Sequence, residues 1–356
     1  MSEKTHLAKA LHWSADTQVH PGDMLAAAFG MAVPLLLAGA MGHLSLGLAA
    51  ALGSLAIGAG ARGEPAHDAG SHALDLAAQL APLAAAASVA SMVAGHGALT
   101  DAIVILLAGT AAIISGYSRP VAVATTRFVL LLIMAAGVAG NAPHRAGFLL
   151  LTLAGALWTC LLLMLAGPWA RARRQPGAPM EQAAPVPAAT AAQRFRRWKR
   201  TLATLSGWQY TARLVFALGG ASLLRWLFPG HHFEWTALTV AILIQRQPEV
   251  FSIKTTQRVA GTVLGVLGAA LLLGYRLPLW VVAINAGWLA GLRPLLRARN
   301  YLAYSVVMTP LMVLIMEASR PADGAMLEDR VAATVIGACL VLLADRMPGW
   351  LVQPSA

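Results

Sequence analysis

Charged residues are scarce in this sequence, and their scarcity excludes a soluble globular protein. Only 12% of its 356 residues are Asp, Glu, Lys or Arg, whereas 58% are hydrophobic. A soluble domain carries about 25% charged residues, so the bilayer must be the solvent for most of this chain. Only helices and closed barrels span lipid, and the apolar runs lack the alternation of barrel strands. We therefore predict an all-α polytopic membrane protein.

Cysteines and catalytic motifs are also scarce. The two cysteines, Cys160 and Cys339, lie in apolar runs without the spacing of a disulfide or a metal site. The sequence has no Walker motif, nucleophile elbow or HExxH motif. The run from His231 to Glu234 suggests a metal site, but zinc usually takes three or four protein ligands, so hydrated outer-loop residues are the preferred interpretation. We predict no enzyme activity, no catalytic residues, no metal and no cofactor.

Long apolar runs are abundant, and we interpret each as one membrane span, although the run at 234–247 is short for a span. They cover residues 23–41, 44–61, 73–95, 99–116, 120–140, 146–167, 208–228, 234–247, 256–274, 277–292, 300–317 and 329–346. Residues 1–22 contain no apolar core and form an N-terminal tail rather than a signal peptide. We predict about twelve transmembrane helices, with a first six-helix repeat at 23–167, a second at 208–346 and a C-terminal tail at 347–356.

A basic linker at 168–207 separates the two groups of spans. It is rich in Pro and Ala and holds eight Lys or Arg residues but a single acid, Glu181. Beside membrane helices, such a run indicates a cytoplasmic loop near anionic lipid headgroups rather than a nucleic-acid site. Nineteen of the 26 Lys and Arg residues then lie on the face of this linker. Five lie opposite: Arg145, Arg225, Arg276, Arg320 and Arg330. This asymmetry predicts that both termini are cytoplasmic, with membrane lipids as partners and no nucleic acid.

The two halves resemble each other at a constant offset of 182 residues. "LLIMAA" at 131–136 aligns with "VLIMEA" at 313–318, and "TLAGA" at 152–156 aligns with "TVIGA" at 334–338. Because six spans per repeat is an even number, both repeats would have the same orientation, as in parallel transporter repeats. A transport path would then lie between the halves. The Ala- and Gly-rich surface is compatible with a homodimer.

A more specific pattern runs from Glu234 to Gly265. "EW" begins a helix, an apolar run leads to "QRQP" at 245–248, and a short loop precedes "RVAGTVLG" at 258–265. The pattern resembles the fusaric acid resistance protein-like family, the aromatic acid exporter group of bacterial inner-membrane proteins. The matching residues are Trp235, Gln245, Pro248, Arg258, Gly261, Thr262 and Gly265, with Arg213 and Thr309-Pro310 as further matches. The resemblance is strongest over 208–346, while the first half matches only in layout. It implies efflux of aromatic carboxylic acids and related organic anions across the inner membrane.

The residues after this loop can be interpreted without the family. Arg258 can bind headgroups at the end of its span, or it can bind a carboxylate through its guanidinium. Thr262, one turn further, can donate to the same anion or bond its own backbone. The glycines at 261, 265 and 268 predict close helix packing, and we expect this packing to join the two halves.

Few other polar residues fall within the predicted spans. Arg127 lies about seven residues into its span, where a charge is costly unless it is paired, hydrated or extended to the surface. The repeat offset relates it to Thr309, beside Pro310. Asn285, Tyr304 and Trp235 are further candidates for lining a path, although aromatic residues at span ends are often interfacial anchors.

Three functions remain open from the sequence. The first is a secondary transporter that exports small organic anions, the second is a passive anion channel, and the third is a membrane scaffold without transport activity. Every acidic residue lies near a span end or in a loop, whereas a proton-coupled exporter usually has a titratable group inside its path. This distribution argues against proton coupling and slightly favours a channel.

Overall fold

The computed structural model describes residue 13 and residues 19–58, 69–140, 144–172, 190–244, 251–274, 278–317 and 324–351. These residues form thirteen helices and no strand, so the all-α prediction is confirmed. The helices are α1 (Pro21–Ala40), α2 (Leu44–Ala56), α3 (Ala69–Val93), α4 (Ala98–Ile114), α5 (Arg119–Ala139), α6 (Arg145–Ala172), α7 (Ala191–Leu202), α8 (Leu205–Leu227), α9 (Glu234–Leu243), α10 (Phe251–Gly274), α11 (Leu279–Arg299), α12 (Tyr301–Glu317) and α13 (Gly324–Leu351).

Local signals explain where several helices begin and turn. His20 caps α1, because its Nδ1 atom accepts a hydrogen bond of 3.0 Å from the Gly22 amide, and Pro21 supplies the first helical residue. The turn between α3 and α4 uses Gly95 and Gly97, whose φ angles of 81° and 57° are left-handed. A side chain at either position would strain the backbone, so glycine permits this short connection.

Five helices are long and apolar enough to cross a bilayer, judged by length and composition. They cover Pro21–Ala40, Ala73–Val93, Arg119–Ala139, Arg145–Ala166 and Leu279–Arg299. Shorter apolar helices cover Leu44–Ala56, Ala98–Ile114, Glu234–Leu243 and Tyr301–Ile315. The chain is therefore a multi-pass membrane protein, and the remaining helices pack against these apolar ones.

Helix packing follows the same scheme in α1–α6 and in α8–α13. Within the halves, α2 packs on α6 as α9 packs on α13, and α3 packs on α5 as α10 packs on α12. Between the halves, α1 packs on α11, and α8 packs on α4. Each helix thus has a counterpart seven helices later that makes the matching contacts.

Two elements differ from what hydropathy predicts. Helix α7 lies inside the basic segment that we interpreted as a linker without periodic structure. Helix α13 begins at Gly324 rather than near residue 329, so charged residues at its start lie one to two turns inside it. Hydropathy averages over a window, and charges near a helix start shift its apparent boundary inwards.

Candidate functional site

Helices α2 and α9 are half-length helices that end inside the protein. They contain 13 and 10 residues, so each spans about 15–20 Å of a hydrocarbon core that is about 30 Å thick. Each ends at an isoleucine in extended conformation, and Ile57 and Ile244 are 0% and 7% exposed. Discontinuous helices at matching positions of two halves indicate a binding region in transporters.

The end of α2 is closed by an arginine from the other half. Arg293 of α11 donates hydrogen bonds of 2.5 Å to the Leu55 carbonyl and 3.0 Å to the Ile57 carbonyl. Gln79 of α3 accepts a hydrogen bond of 3.2 Å from the Gly58 amide just beyond. A guanidinium is well placed there, because carbonyls at a helix C-terminus carry partial negative charge. Arg293 therefore fixes the first half to the second.

The end of α9 faces a small cleft instead. Ala111 of α4 lies at the position that the offset of 182 residues assigns to Arg293. The cleft is lined by Ala111, Ala112, Ser115, Thr125, Thr126, Val129, Tyr210, Leu214 and Ala241. The two equivalent helix ends therefore have different surroundings. The end of α2 binds a guanidinium, and the end of α9 borders a small cleft lined partly by hydroxyl groups.

Two of the three predicted packing glycines hold α10 against α12. A Cβ atom at Gly261 would lie 2.5 Å from the Ser305 Cβ atom, and one at Gly265 would lie 2.6 Å from the Thr309 Cβ atom. A Cβ atom at Gly268 would meet nothing within 4 Å, so the packing prediction for Gly268 is wrong. Both contacts lie within the second half, so the stripe does not join the two halves as we presumed.

Arg258 lies beside this contact and is almost fully buried. Its side chain is 2% exposed, and its Nη1 atom donates a hydrogen bond of 3.3 Å to Ser305 Oγ. Its Nε atom has no hydrogen-bond partner among the described residues. Thr262, one turn along α10, is 0% exposed, and its hydroxyl likewise lacks a partner there. Arg258 is therefore an interior charge rather than a group extended to lipid headgroups.

A second buried arginine, Arg330 of α13, lies nearby. It is 1% exposed, and neither its Nε atom nor either Nη atom finds a hydrogen-bond partner in the described part of the chain. Its guanidinium carbon lies 3.8 Å from the centre of the Trp235 ring, in a cation–π contact. The charge count placed Arg330 at the outer end of its span, and the structure shows that this end of the helix, which begins at Gly324, is buried within the protein at Arg330.

Arg258 and Arg330 lie on helices that pack against each other, α10 and α13, and their like charges repel. Two desolvated cations without a carboxylate are costly, because burial of an unpaired charge is unfavourable. An anion between them would neutralise both charges and accept the unused N–H groups. The buried hydroxyls of Thr262 and Thr236, each 0% exposed and without a described partner, provide further donors in these helices. We call Arg258, Arg330, Trp235, Thr236 and Thr262 the arginine site.

A basic cluster lies on the side of Arg258 where α10 begins. Lys254 has its Nζ atom 5.2 Å from the centre of the Tyr301 ring, and Tyr301 pairs with Tyr304 at a ring distance of 5.9 Å. Burial, reinforced by the charges of Arg297 and Arg258, lowers the pKa of Lys254 to about 8. Lys254 precedes the apolar span of α10. The cluster presents positive charge along the approach to Arg258.

Of the other residues predicted from the sequence, three contribute to features described above and two do not. Trp235 belongs to the arginine site, Tyr304 to the basic cluster, and Thr309 to the packing contact with its hydroxyl bonded to the Ser305 carbonyl at 3.0 Å. Asn285 donates to the Val281 carbonyl of its own helix at 2.8 Å. Arg127 is half-buried on α5, which packs against α3, α4 and α9.

Arg213 and Arg225, also in the second half, have acidic partners, whereas Arg293 binds backbone carbonyls. Arg213 pairs with Asp345. Arg225 binds both oxygens of Asp101 at 2.7 and 2.8 Å, and Ser222 donates to the same carboxylate at 2.8 Å. His231 and the His232 amide both bind Asp329, and no group of three metal-ligating side chains is found among the described residues. The arginine site therefore differs from these ion pairs.

The sequence pattern that carried the resemblance is confirmed by comparison with known families. A model of the fusaric acid resistance protein-like family matches residues 218–344. This range contains α9 to α12 and both arginines of the site, whereas Gln245 and Pro248 of the pattern lie outside the described residues. No curated protein and no solved structure matches the chain.

Proposed function

We propose that this chain, whose residues 218–344 belong to the fusaric acid resistance protein-like family, exports small organic anions such as aromatic carboxylic acids. The observation that carries the proposal is the arginine site, where Arg258 and Arg330 are buried without a described carboxylate partner. A carboxylate accepts bidentate hydrogen bonds from a guanidinium, and the low polarity of the surroundings strengthens them. The proposal requires no cofactor, metal or catalytic group.

The proposed architecture has about twelve transmembrane helices in two parallel six-helix repeats. The matching contacts of α1–α6 and α8–α13 support it, and so do the two half-length helices at corresponding positions. Arg293 and the pair of Arg225 with Asp101 link the repeats. We place the transport path along α9, from the cleft near its end, where both halves contribute residues, to the arginine site at its start.

The proposed orientation has both termini and the basic segment 168–207 in the cytoplasm, with the protein in the inner membrane. The excess of Lys and Arg on that face supports it. A cysteine introduced by P185C tests the orientation with an impermeant thiol reagent in intact spheroplasts. Labelling only after permeabilisation is expected, and ready labelling of intact spheroplasts would contradict the orientation.

The chemical order of the path follows from this orientation. The basic cluster around Lys254 and Arg297 attracts the anion at the cytoplasmic side, and Arg258 receives it beyond. Arg330, which contacts Trp235 at the start of α9, takes part in the same site. Mutual repulsion of the two cations makes the empty site unfavourable and so favours binding of an anion.

A passive anion channel is the second candidate. In the described residues, no carboxylate pairs with Arg258 or Arg330, so the site lacks an acid that could carry a coupled proton. Both candidates require the arginine site, but only a coupled exporter responds to a proton gradient beyond the effect of membrane potential.

Transport in proteoliposomes tests the proposal. We expect R258Q and R330Q to reduce flux of a radiolabelled aromatic carboxylate at least tenfold, because each removes a charge-assisted contact of about 1.5–3 kcal/mol. R258K should recover part of the flux, since it keeps the charge but loses the planar fork. R119Q, at an exposed arginine, is the matched control. Unchanged flux in both site variants at equal protein content would contradict the proposal, and a pH gradient applied at clamped potential separates exporter from channel.

A further inference from the structure

Helix α7 has the sequence of an amphipathic helix with an unusually basic polar face. Its apolar residues recur at intervals of four, three and four and therefore share one stripe: Ala191, Phe195, Trp198 and Leu202. Five cations occupy the rest of its surface, Arg194, Arg196, Arg197, Lys199 and Arg200, and its twelve residues include no acid. This combination is typical of helices that lie in a membrane interface.

The start of α7 is fixed by its own residues. Thr190 and Gln193 form a capping box, in which the Thr190 amide donates to Gln193 Oε1 at 2.9 Å and the Gln193 amide donates to Thr190 Oγ1 at 3.3 Å. A capping box satisfies two backbone groups that would otherwise lack partners at a helix start. The helix therefore has a defined beginning within the basic segment.

Two contacts hold α7 against the ends of the apolar helices. Trp198 donates from Nε1 to the Ile113 carbonyl at the end of α4 at 3.0 Å, and its ring meets Tyr117 edge-on at 6.4 Å. At the corner with α8, Trp208 donates to the Leu202 carbonyl at 2.9 Å, and Gly207 lies so close to the Thr201 carbonyl that a Cβ atom would overlap it. Helix α7 thus lies at the level where α4 ends and α8 begins.

The protein covers only part of the apolar stripe. Phe195 is 52% exposed, and Leu205 and Trp208 at the adjacent corner are 74% and 44% exposed. All five cations of α7 are exposed as well. Aromatic and aliphatic groups beside cations, at the end of membrane helices, match the boundary between acyl chains and headgroups.

We propose that α7 is an interfacial helix that binds anionic phospholipid headgroups through its cations and inserts Phe195, Leu205 and Trp208 at the acyl boundary. The occupant follows from charge complementarity and from the direct continuity of α7 with the membrane helix α8. Because α7 contacts α4 of the first half and α8 of the second, a bound lipid surface holds both halves at this face. Lipid binding by α7 is independent of the transported substrate.

Lipid titration of the full-length protein tests this proposal. In a C339S background, which removes the exposed native thiol, an environment-sensitive dye is attached at A192C on the exposed flank of α7. Detergent-solubilised protein is titrated with phosphatidylglycerol or with phosphatidylcholine. Wild-type α7 should bind phosphatidylglycerol at least tenfold more tightly, and the difference should shrink in high salt.

Two matched variants separate charge from structure. Each cation near an anionic surface contributes about a fivefold change in affinity, so R196Q/R197Q/R200Q should weaken phosphatidylglycerol binding about a hundredfold. R196K/R197K/R200K keeps the charges and should bind like wild type. Equal affinity of the wild type for the two lipids, or no loss in the Gln variant, would overturn the proposal. Tighter binding of a short RNA than of phosphatidylglycerol would also overturn it.

Discussion

Replacing Arg330 by methionine should stabilise the protein in the absence of an anion. The side chain is 1% exposed, and its three nitrogens have no described partner. Replacement of buried charges by apolar side chains of similar volume gains about 1–4 kcal/mol, and loss of a desolvated cation–π contact with Trp235 costs about 2 kcal/mol. With a charge penalty near the upper end of that range, we expect a net gain of about 1–2 kcal/mol.

The same substitution should weaken the response to ligand. An aromatic carboxylate at a hundred times its Kd should stabilise the wild-type protein by about 2.7 kcal/mol. R330M lacks one of the two cations that would bind it, and loss of a contact of about 1.5–3 kcal/mol should reduce this stabilisation to about 0.3–1.3 kcal/mol at the same concentration. Thermal unfolding in detergent, with and without the carboxylate, measures both effects on one sample.

R213M is the matched control, because Arg213 is 13% exposed and pairs with Asp345. That variant leaves a carboxylate without its partner, so it should be destabilised by about 1–2 kcal/mol after allowance for solvent screening at the 32% exposed Asp345. If R330M is less stable than wild type and gains as much stability from the carboxylate as wild type does, Arg330 is a structural residue and the reasoning about the arginine site fails.

Three further predictions concern packing, pH and the link between halves. Gly265→Leu should lower stability by about 1–3 kcal/mol through overlap with Thr309, while Gly268→Leu should melt within about 0.5 kcal/mol of wild type; equal melting of the two would refute the contact. The pKa of Lys254 is lowered to about 8, so its charge is lost as pH rises through that value, and the Kd for a carboxylate should rise between about pH 7 and 9. K254R should show a flat profile over that range, and a persistent slope would exclude Lys254 as its source. Arg293→Ala leaves two carbonyls at the end of α2 unpaired and should lower stability by about 1–3 kcal/mol, and a calorimetric transition identical to wild type would contradict this role.

The second half of the chain shows which contacts a sequence pattern can predict and which it cannot. Arg258, Gly261, Thr262 and Gly265 have fixed spacing along one helix, so their shared neighbourhood follows from helical periodicity. The family match over residues 218–344 agrees with that pattern. Periodicity could not show that Gly268 faces open space, because the path of α12 relative to α10 depends on contacts far apart in sequence.

Arg330 was missed because hydropathy depends on averaged windows. "LEDR" at 327–330 lowers the average, so the span appeared to begin at residue 329 and the arginine appeared to lie at its outer end. A helix that starts at Gly324 has the same sequence but a different depth for each residue. Six positions separate Gly324 from Arg330, which is enough for almost two helical turns before the arginine.

The sequence by itself determined the solvent, the helical class and the approximate positions of the membrane helices, because these depend on composition and local periodicity. The amphipathic stripe of α7 depends on spacing within twelve residues and is therefore also local, although we interpreted its segment as a linker. Only the tertiary structure decided that α2 and α9 end in the interior and that Arg258 and Arg330 are buried near each other. The reason is physical: an arginine has the same local propensity whether it faces lipid headgroups, a carboxylate or another arginine, and long-range helix packing selects among these surroundings.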